Sequence, residues 1–308
     1  MHLSFQEYFA ALYLASQVKL PRWIDGKATG PGPSLEDLRS FAGQAPWRET
    51  LILLFELLAA ERGWPQELAA QIFGDGFEKL TEGRKEHRTL ALLAAELAVD
   101  PHSGFGEALR RRAAEACIRW EGAFQAVFIR GSDRLSFHQP EVLRLLLAGD
   151  AMAPPEALAV LADTALKAET LNLSGTQVSG LEPLQRLTQL QVLDLRGTQV
   201  ADLAPLRSLT QLRALELSGT QVANLAPLQS LTRLRDLSLS GTQVADLAPL
   251  QSLTQLELLY LDGTQVADLA PLQELPQLQY LDLIHSAVAP EEAARLRRNL
   301  PGLETNGP

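Results

Sequence analysis

The chain has 308 residues, with 37 acidic against 27 basic side chains for a net charge of −10, and one cysteine. That length admits two domains, and so acidic a chain lacks the basic footprint that phosphate binding demands, which excludes nucleic acid as a primary partner. A lone cysteine rules out an internal disulfide framework, no apolar run approaches the ~18 residues of a membrane span, and the N-terminus carries a glutamate but no basic n-region, so a cytoplasmic location off the membrane is expected.

In the first segment, HLSFQEYFAALYLA, Ser4 and Glu7 stand at capping-box spacing. Phe5, Phe9 and Leu12, with Tyr8 beside them, make an apolar face at helical spacing. The words H-x-S-F-Q-E-Y-F-A-A resemble the end of the winged-helix region in NACHT-type STAND NTPases, the group that includes NOD-like immune receptors. The resemblance implies that His2 approaches the phosphates of a bound nucleotide, with Ser4, Phe5, Gln6 and Glu7 packing around it. Because the motif follows directly on Met1, the chain is expected to be a piece of a longer product or to have another gene start. An ordinary capped amphipathic helix is the other reading of the same residues.

After a loop rich in glycine and proline, Ser34 with Glu36 and Asp37 opens a short helix. Next comes PWRETLILLFELLAAERG, with Pro46 and Glu49 at its start, Arg62 near its end and Gly63 as its stop. It is apolar almost all round from Leu51 to Leu58, as a helix buried between neighbours is. PWRETLILL is similar to the helical region that follows the winged helix in bacterial NACHT proteins. Further helical patterns are PQELAAQIF, RKEHRTLALLAAELAV, EALRRRAAEACIRWEGAFQAVF, PEVLRLLLAG and PEALAVLADTAL. Short breaks between them predict a helical array that runs into the C-terminal half of the chain. Cys117 reads as a small core residue.

From Ala168 to Asn299 one unit of 22 residues is written six times without an insertion. A fixed period in this range is the mark of a solenoid. In the second unit Leu190, Leu193 and Leu195 alternate with Val192, Asp194 and Arg196, which predicts a short strand with the leucines inward. Val200, Leu203, Leu206 and Leu209 continue the buried set at threefold spacing, suited to a 3₁₀-like or extended return. A glycine column led by Gly197 marks the exit from the strand. The next column, led by Thr198, places a hydroxyl where turning backbone needs a partner. Pro205 and its equivalents fix φ on the far side, and Asp202, Asn224, Asp246 and Asp268 cap that turn. The pattern L-x-x-L-x-L-x-x-T-x-V-x-x-L-x-x-L-x-x-L resembles the leucine-rich repeat in its short bacterial, internalin-like form. One unit cannot bury its own apolar edge, so helices from Pro154 to Leu166 and in PEEAARLRRNL are expected to cap the two ends.

The scaffold does not dictate the outward strand residues, so they carry the functional information. The candidate ligand face is Val192, Asp194, Arg196, Glu216, Asp236, Leu258, Tyr260, Asp262, Tyr280, Asp282 and Ile284. It is acidic: residues 169–285 hold 12 acidic and 6 basic side chains. Leu258, Tyr260, Tyr280 and Ile284 gather at its C-terminal end, which suits a protein or peptide ligand with basic and apolar features. The same patch could instead dock another part of this polypeptide.

No G-x-x-x-x-G-K-[ST] occurs, and the nearest string, DGKAT, lacks the leading glycine and the preceding strand. The five histidines do not pair at metal-ligand spacing, and no base stands beside Cys117. The expected architecture is α plus α/β solenoid: 1–20 the end of a winged-helix region, 21–153 a helical domain, and 154–308 a leucine-rich-repeat horseshoe with a parallel sheet on its concave face. The resemblance implies a non-catalytic sensor or autoinhibitory region of an NLR-like signalling NTPase. Its partners would be a protein ligand and the receptor's own NTPase domain. ATP or ADP with Mg would bind only on that missing core. A stand-alone scaffold or effector and an internalin-like surface adhesin are the alternatives.

Overall fold

The computed structural model describes residues 35–44, 47–58, 64–73, 87–128, 140–148 and 152–307, with single positions at 10, 11, 14, 77 and 80. His2, Ser4, Phe5, Gln6 and Glu7, and the expected helix stop at Gly63, lie outside them. The chain divides into two compact units, one drawn from 1–124 and 141–153, the other from 125–140 and 154–308.

In the first unit the apolar patterns fold as α1 (Leu35–Ala42), α2 (Arg48–Leu58), α3 (Trp64–Phe73), α4 (Arg88–Val99), most of α5 (Glu107–Phe128) and α6 (Glu141–Ala148). α4 is buried along most of its length because α1, α2 and α6 all pack on it. Phe55, Leu93 and Trp120 are fully buried, and Phe55 meets Phe105 edge to face at 5.5 Å. Arg88 and Glu141 join α4 to α6 across the surface at 2.7 Å. Cys117 is a buried core residue, as its position suggests, its thiol 3.4 Å from the Ala91 carbonyl. Burial, with Glu121 nearby, pushes that thiol well above its ordinary range.

The second unit is the solenoid. Seven parallel strands, β1 (Thr170–Asn172), β2 (Val192–Asp194), β3 (Ala214–Glu216), β4 (Asp236–Ser238), β5 (Leu258–Tyr260), β6 (Tyr280–Asp282) and β7 (Glu304–Asn306), pair in sequence order into one open sheet. Each of the first five strands returns through a five-residue 3₁₀ helix such as Ala204–Ser208, entered on Pro205. The Asp202 carboxylate accepts the Ala204 N–H at 2.8 Å, and Asn224, Asp246 and Asp268 do the same in later coils. Leu193, Leu195, Val200, Leu203, Leu206 and Leu209 are at most 1 % exposed, so the coils share one continuous interior. Truncating such a leucine to alanine costs about 2–5 kcal/mol.

Thr176, Thr198, Thr220, Thr242 and Thr264 are all buried, and each donates its hydroxyl to the leucine carbonyl three residues back at 2.6–2.7 Å. The residue before each takes the left-handed conformation that glycine adopts without strain, φ +69° at Gly219. In the sixth coil His285 holds that conformation with a side chain, φ 53°, and its Nδ1 lies 3.0 Å from Asp262. α7 (Pro154–Thr164) packs on the first 3₁₀ helix and α8 (Pro290–Asn299) on the last, which caps both ends. The cap goes further than the sequence suggests, because the chain returns after α8 to add β7 to the sheet.

Candidate functional site

Parallel register fixes the outward face. Asp194 pairs with Glu216, Glu216 with Ser238, Ser238 with Tyr260 and Tyr260 with Asp282, so equivalent residues stand in straight columns across the sheet. The columns are not uniformly open.

At the N-terminal end they are closed. Asn172 and Asp194 are 0 % exposed, and Ser174 is buried beside them. Asp194 belongs to the expected ligand face, and the structure corrects this. Its carboxylate receives the Arg196 guanidinium in a fork, Nε to Oδ1 at 3.0 Å and Nη2 to Oδ2 at 2.7 Å. The same Oδ1 also accepts the Arg196 N–H at 3.0 Å. The side-chain hydrogen bond to Asp194 holds the Arg196 guanidinium, in turn, well protonated. Asn172 and Asp282 close the same two-residue turn, onto Ser174 at 2.8 Å and Ile284 at 3.2 Å. An Asp or Asn two places before the residue that precedes the glycine is the sequence signal of this turn.

The middle of the face is a half-buried acidic strip. Burial, reinforced by Asp236, raises the Glu216 carboxyl to about 7 against the pull of Arg196. Asp236 is raised by burial and by Glu257, and its Oδ1 is buried without a hydrogen-bond partner. Ser218 and Ser238 share a 2.6 Å hydrogen bond between the coils. On the flank Arg235 reaches Glu257 at 3.3 Å.

The C-terminal end opens. The half-exposed rings of Tyr260 and Tyr280 lie 5.5 Å apart at 49°. A cleft of about 640 Å³ beside them is lined by Leu258, Tyr260, Gln279, Tyr280, Gly302 and Glu304. Gly302 and Glu304 are absent from the sequence-derived face, because a strand of three residues after a helical cap carries no leucine pattern to betray it. Burial, then Asp236, Tyr280, Glu216 and Asp282, pushes the Tyr260 phenol above its usual range. Val192, Asp262 and Ile284 are half-buried on the same face, and Asp262 is engaged by His285. Among the described residues no group of His, Cys, Asp and Glu is placed to hold a metal ion, and no helix is long and apolar enough to cross a membrane.

A shared leucine interior under an open parallel sheet is the leucine-rich-repeat architecture, one suited to protein–protein interaction. Residues 169–208 match the family model described as "Leucine Rich repeats (2 copies)". Among solved structures the chain is similar to an internalin from Listeria monocytogenes at 25 % identity and TM-score 0.39, the alignment covering 46 % of this chain and 48 % of that one. It is also similar to a leucine-rich-repeat protein of Leptospira interrogans at 28 % identity and TM-score 0.46, covering 51 % and 40 %. A third similarity is to internalin C2 of L. monocytogenes at 28 % identity and TM-score 0.40, covering 49 % and 74 %. The match thus takes in less than half the length of the first two. No curated protein sequence matches the chain.

Proposed function

We propose that the repeats are the ligand-capturing part of a cytoplasmic, NACHT-type signalling NTPase, and that a protein ligand is held on the sheet face from Glu216 to Glu304. The observation that carries the binding role is the open, tyrosine-walled cleft on a face otherwise given over to carboxylates. Half-exposed tyrosines cost little side-chain entropy to immobilise and are common anchors in protein interfaces. Val192 and Arg196 stand beside the closed end and form its rim.

The receptor reading rests on the HLSFQEYFAA motif and on repeats placed after a helical region. In it 1–20 end a winged-helix region, 21–153 form a helical domain, and the repeats from 154 bind the trigger or restrain the NTPase. Nucleotide and magnesium would sit on the NTPase core, with His2 facing the phosphates. Signalling of this kind requires the ligand to prefer one of two receptor states. Sequencing the gene upstream of Met1 tests it: an open frame running into a Walker A motif supports the receptor, and a promoter there returns the chain to a free-standing interaction module.

The binding role is tested by panning a random peptide display library on the intact chain. Peptides should be retained by the parent and lost from Tyr260→Ala/Tyr280→Ala, with the melting temperature moved by only a few degrees. Equal retention by both proteins would place binding elsewhere.

A further inference from the structure

We propose that the cleft beside Tyr260 and Tyr280 is a subsite for one arginine side chain from an extended segment of the protein ligand. The inference rests on the sheet face being the binding face, and it adds what that face selects.

Register supplies the geometry. Tyr260 stands opposite Asp282, and Tyr280 stands opposite Glu304, so each ring has a carboxylate on the next strand at the same height. On the preceding strand Asp236 presents a carboxylate with a buried oxygen that nothing in the fold satisfies. Two rings 5.5 Å apart and tilted by 49° offer π-faces to a planar cation. Leu258 and the ring edges form an apolar wall along which a three-methylene stem can lie. Of the neighbouring basic side chains, Arg235 is taken by Glu257, Arg196 by Asp194, and His285 faces Asp262. The cleft therefore keeps aromatic faces beside one lining carboxylate, Glu304, with Asp282 and Asp236 on the strands around it, while these basic side chains are engaged elsewhere.

A guanidinium fits this set better than an ammonium. It stacks on rings while its edge donates in a fork to carboxylates, whereas an ammonium is a compact, strongly hydrated point charge. A neutral apolar side chain would cover the Glu304 carboxylate without pairing it, which disfavours it.

The test uses the whole chain with 3-fluorotyrosine at its four tyrosines. Resonances are assigned from Tyr260→Phe and Tyr280→Phe. The probe is the capped tripeptide Gly-Arg-Gly, with its citrulline counterpart, the same shape without the charge, as control. Saturable shifts of the Tyr260 and Tyr280 signals are expected with the arginine peptide, about fivefold or more weaker with citrulline. Glu304→Gln, an exposed position outside the core, should weaken the arginine peptide about two- to fivefold. Equal response to both peptides, or no response at these two signals, overturns the subsite. The two proposals fail separately. Panned peptides that depend on both tyrosines but carry no arginine keep the binding face and sink this inference. Arginine-dependent shifts without any panned protein sequence keep the subsite and sink the larger role.

Discussion

The threonine column shows how much a single hydroxyl contributes when it is repeated. Each Leu carbonyl in the series already accepts the Thr backbone N–H, as Leu239 does from Thr242 at 3.1 Å, and the hydroxyl adds a second bond at 2.6 Å. Thr242→Val keeps the shape and removes only that bond, so urea unfolding should report a loss of about 0.5–1.5 kcal/mol. A loss above that range would mean that the hydroxyl also positions the next coil. Asp202 and its equivalents are legible as turn caps because the residue type and the proline three places on name the turn. Asp194 is misread by alternation, although its place two before the residue preceding Gly197 marks a turn. Strand alternation sends it outward, and the turn onto the Arg196 N–H with the fork from the Arg196 guanidinium makes it a buried, self-satisfied group.

At the scale of elements, the N-terminal edge of the sheet is closed by a side chain. The outer side of β1 would expose the N–H and C=O of Asn172. The side-chain amide of Gln125, near the end of α5, takes both: its Oε1 accepts the N–H at 2.7 Å and its Nε2 donates to the C=O at 3.1 Å. A side chain thereby stands in for the missing neighbouring strand. Gln125→Leu keeps the apolar bulk and strands both backbone groups, each costing about 1–3 kcal/mol when buried without a partner. Chemical denaturation should show a loss of at least about 2 kcal/mol, and Gln125→Glu, which keeps only the acceptor, should fall between. A neutral Gln125→Leu would mean that water reaches this edge freely. Period-2 leucines make six of the strands readable from the chain itself. Gln125 cannot be read, since an amide 47 residues from its partner leaves no local pattern, and β7 cannot because Glu304–Asn306 carries no leucine. The tyrosine wall is legible from register alone; the floor supplied by Gly302 and Glu304 is not.

For the molecule as a whole, the acidic face makes stability depend on pH in an unusual direction. Glu216 holds its proton up to about 7 in the fold, and in the unfolded chain releases it near 4.5. The folded form therefore binds the proton more tightly, and the stability this confers is present below about 4.5 and lost as pH rises through about 7. Asp236 is shifted the same way, and Arg196 opposes the shift of Glu216. The melting temperature should fall between about pH 5 and 8, and Glu216→Gln should flatten most of that slope. A melting temperature that rises over this interval in the parent would show these carboxylates to be well hydrated.

The unbroken period has a further consequence. Every coil enters and leaves its neighbours at the same height, Leu193 opposite Leu215 and Leu215 opposite Leu237. Excising 22 residues between equivalent positions of the second and third units would rejoin backbone that already matches. Removal of one whole unit would thus shorten the reach of the carboxylate strip while the aromatic end arrives intact.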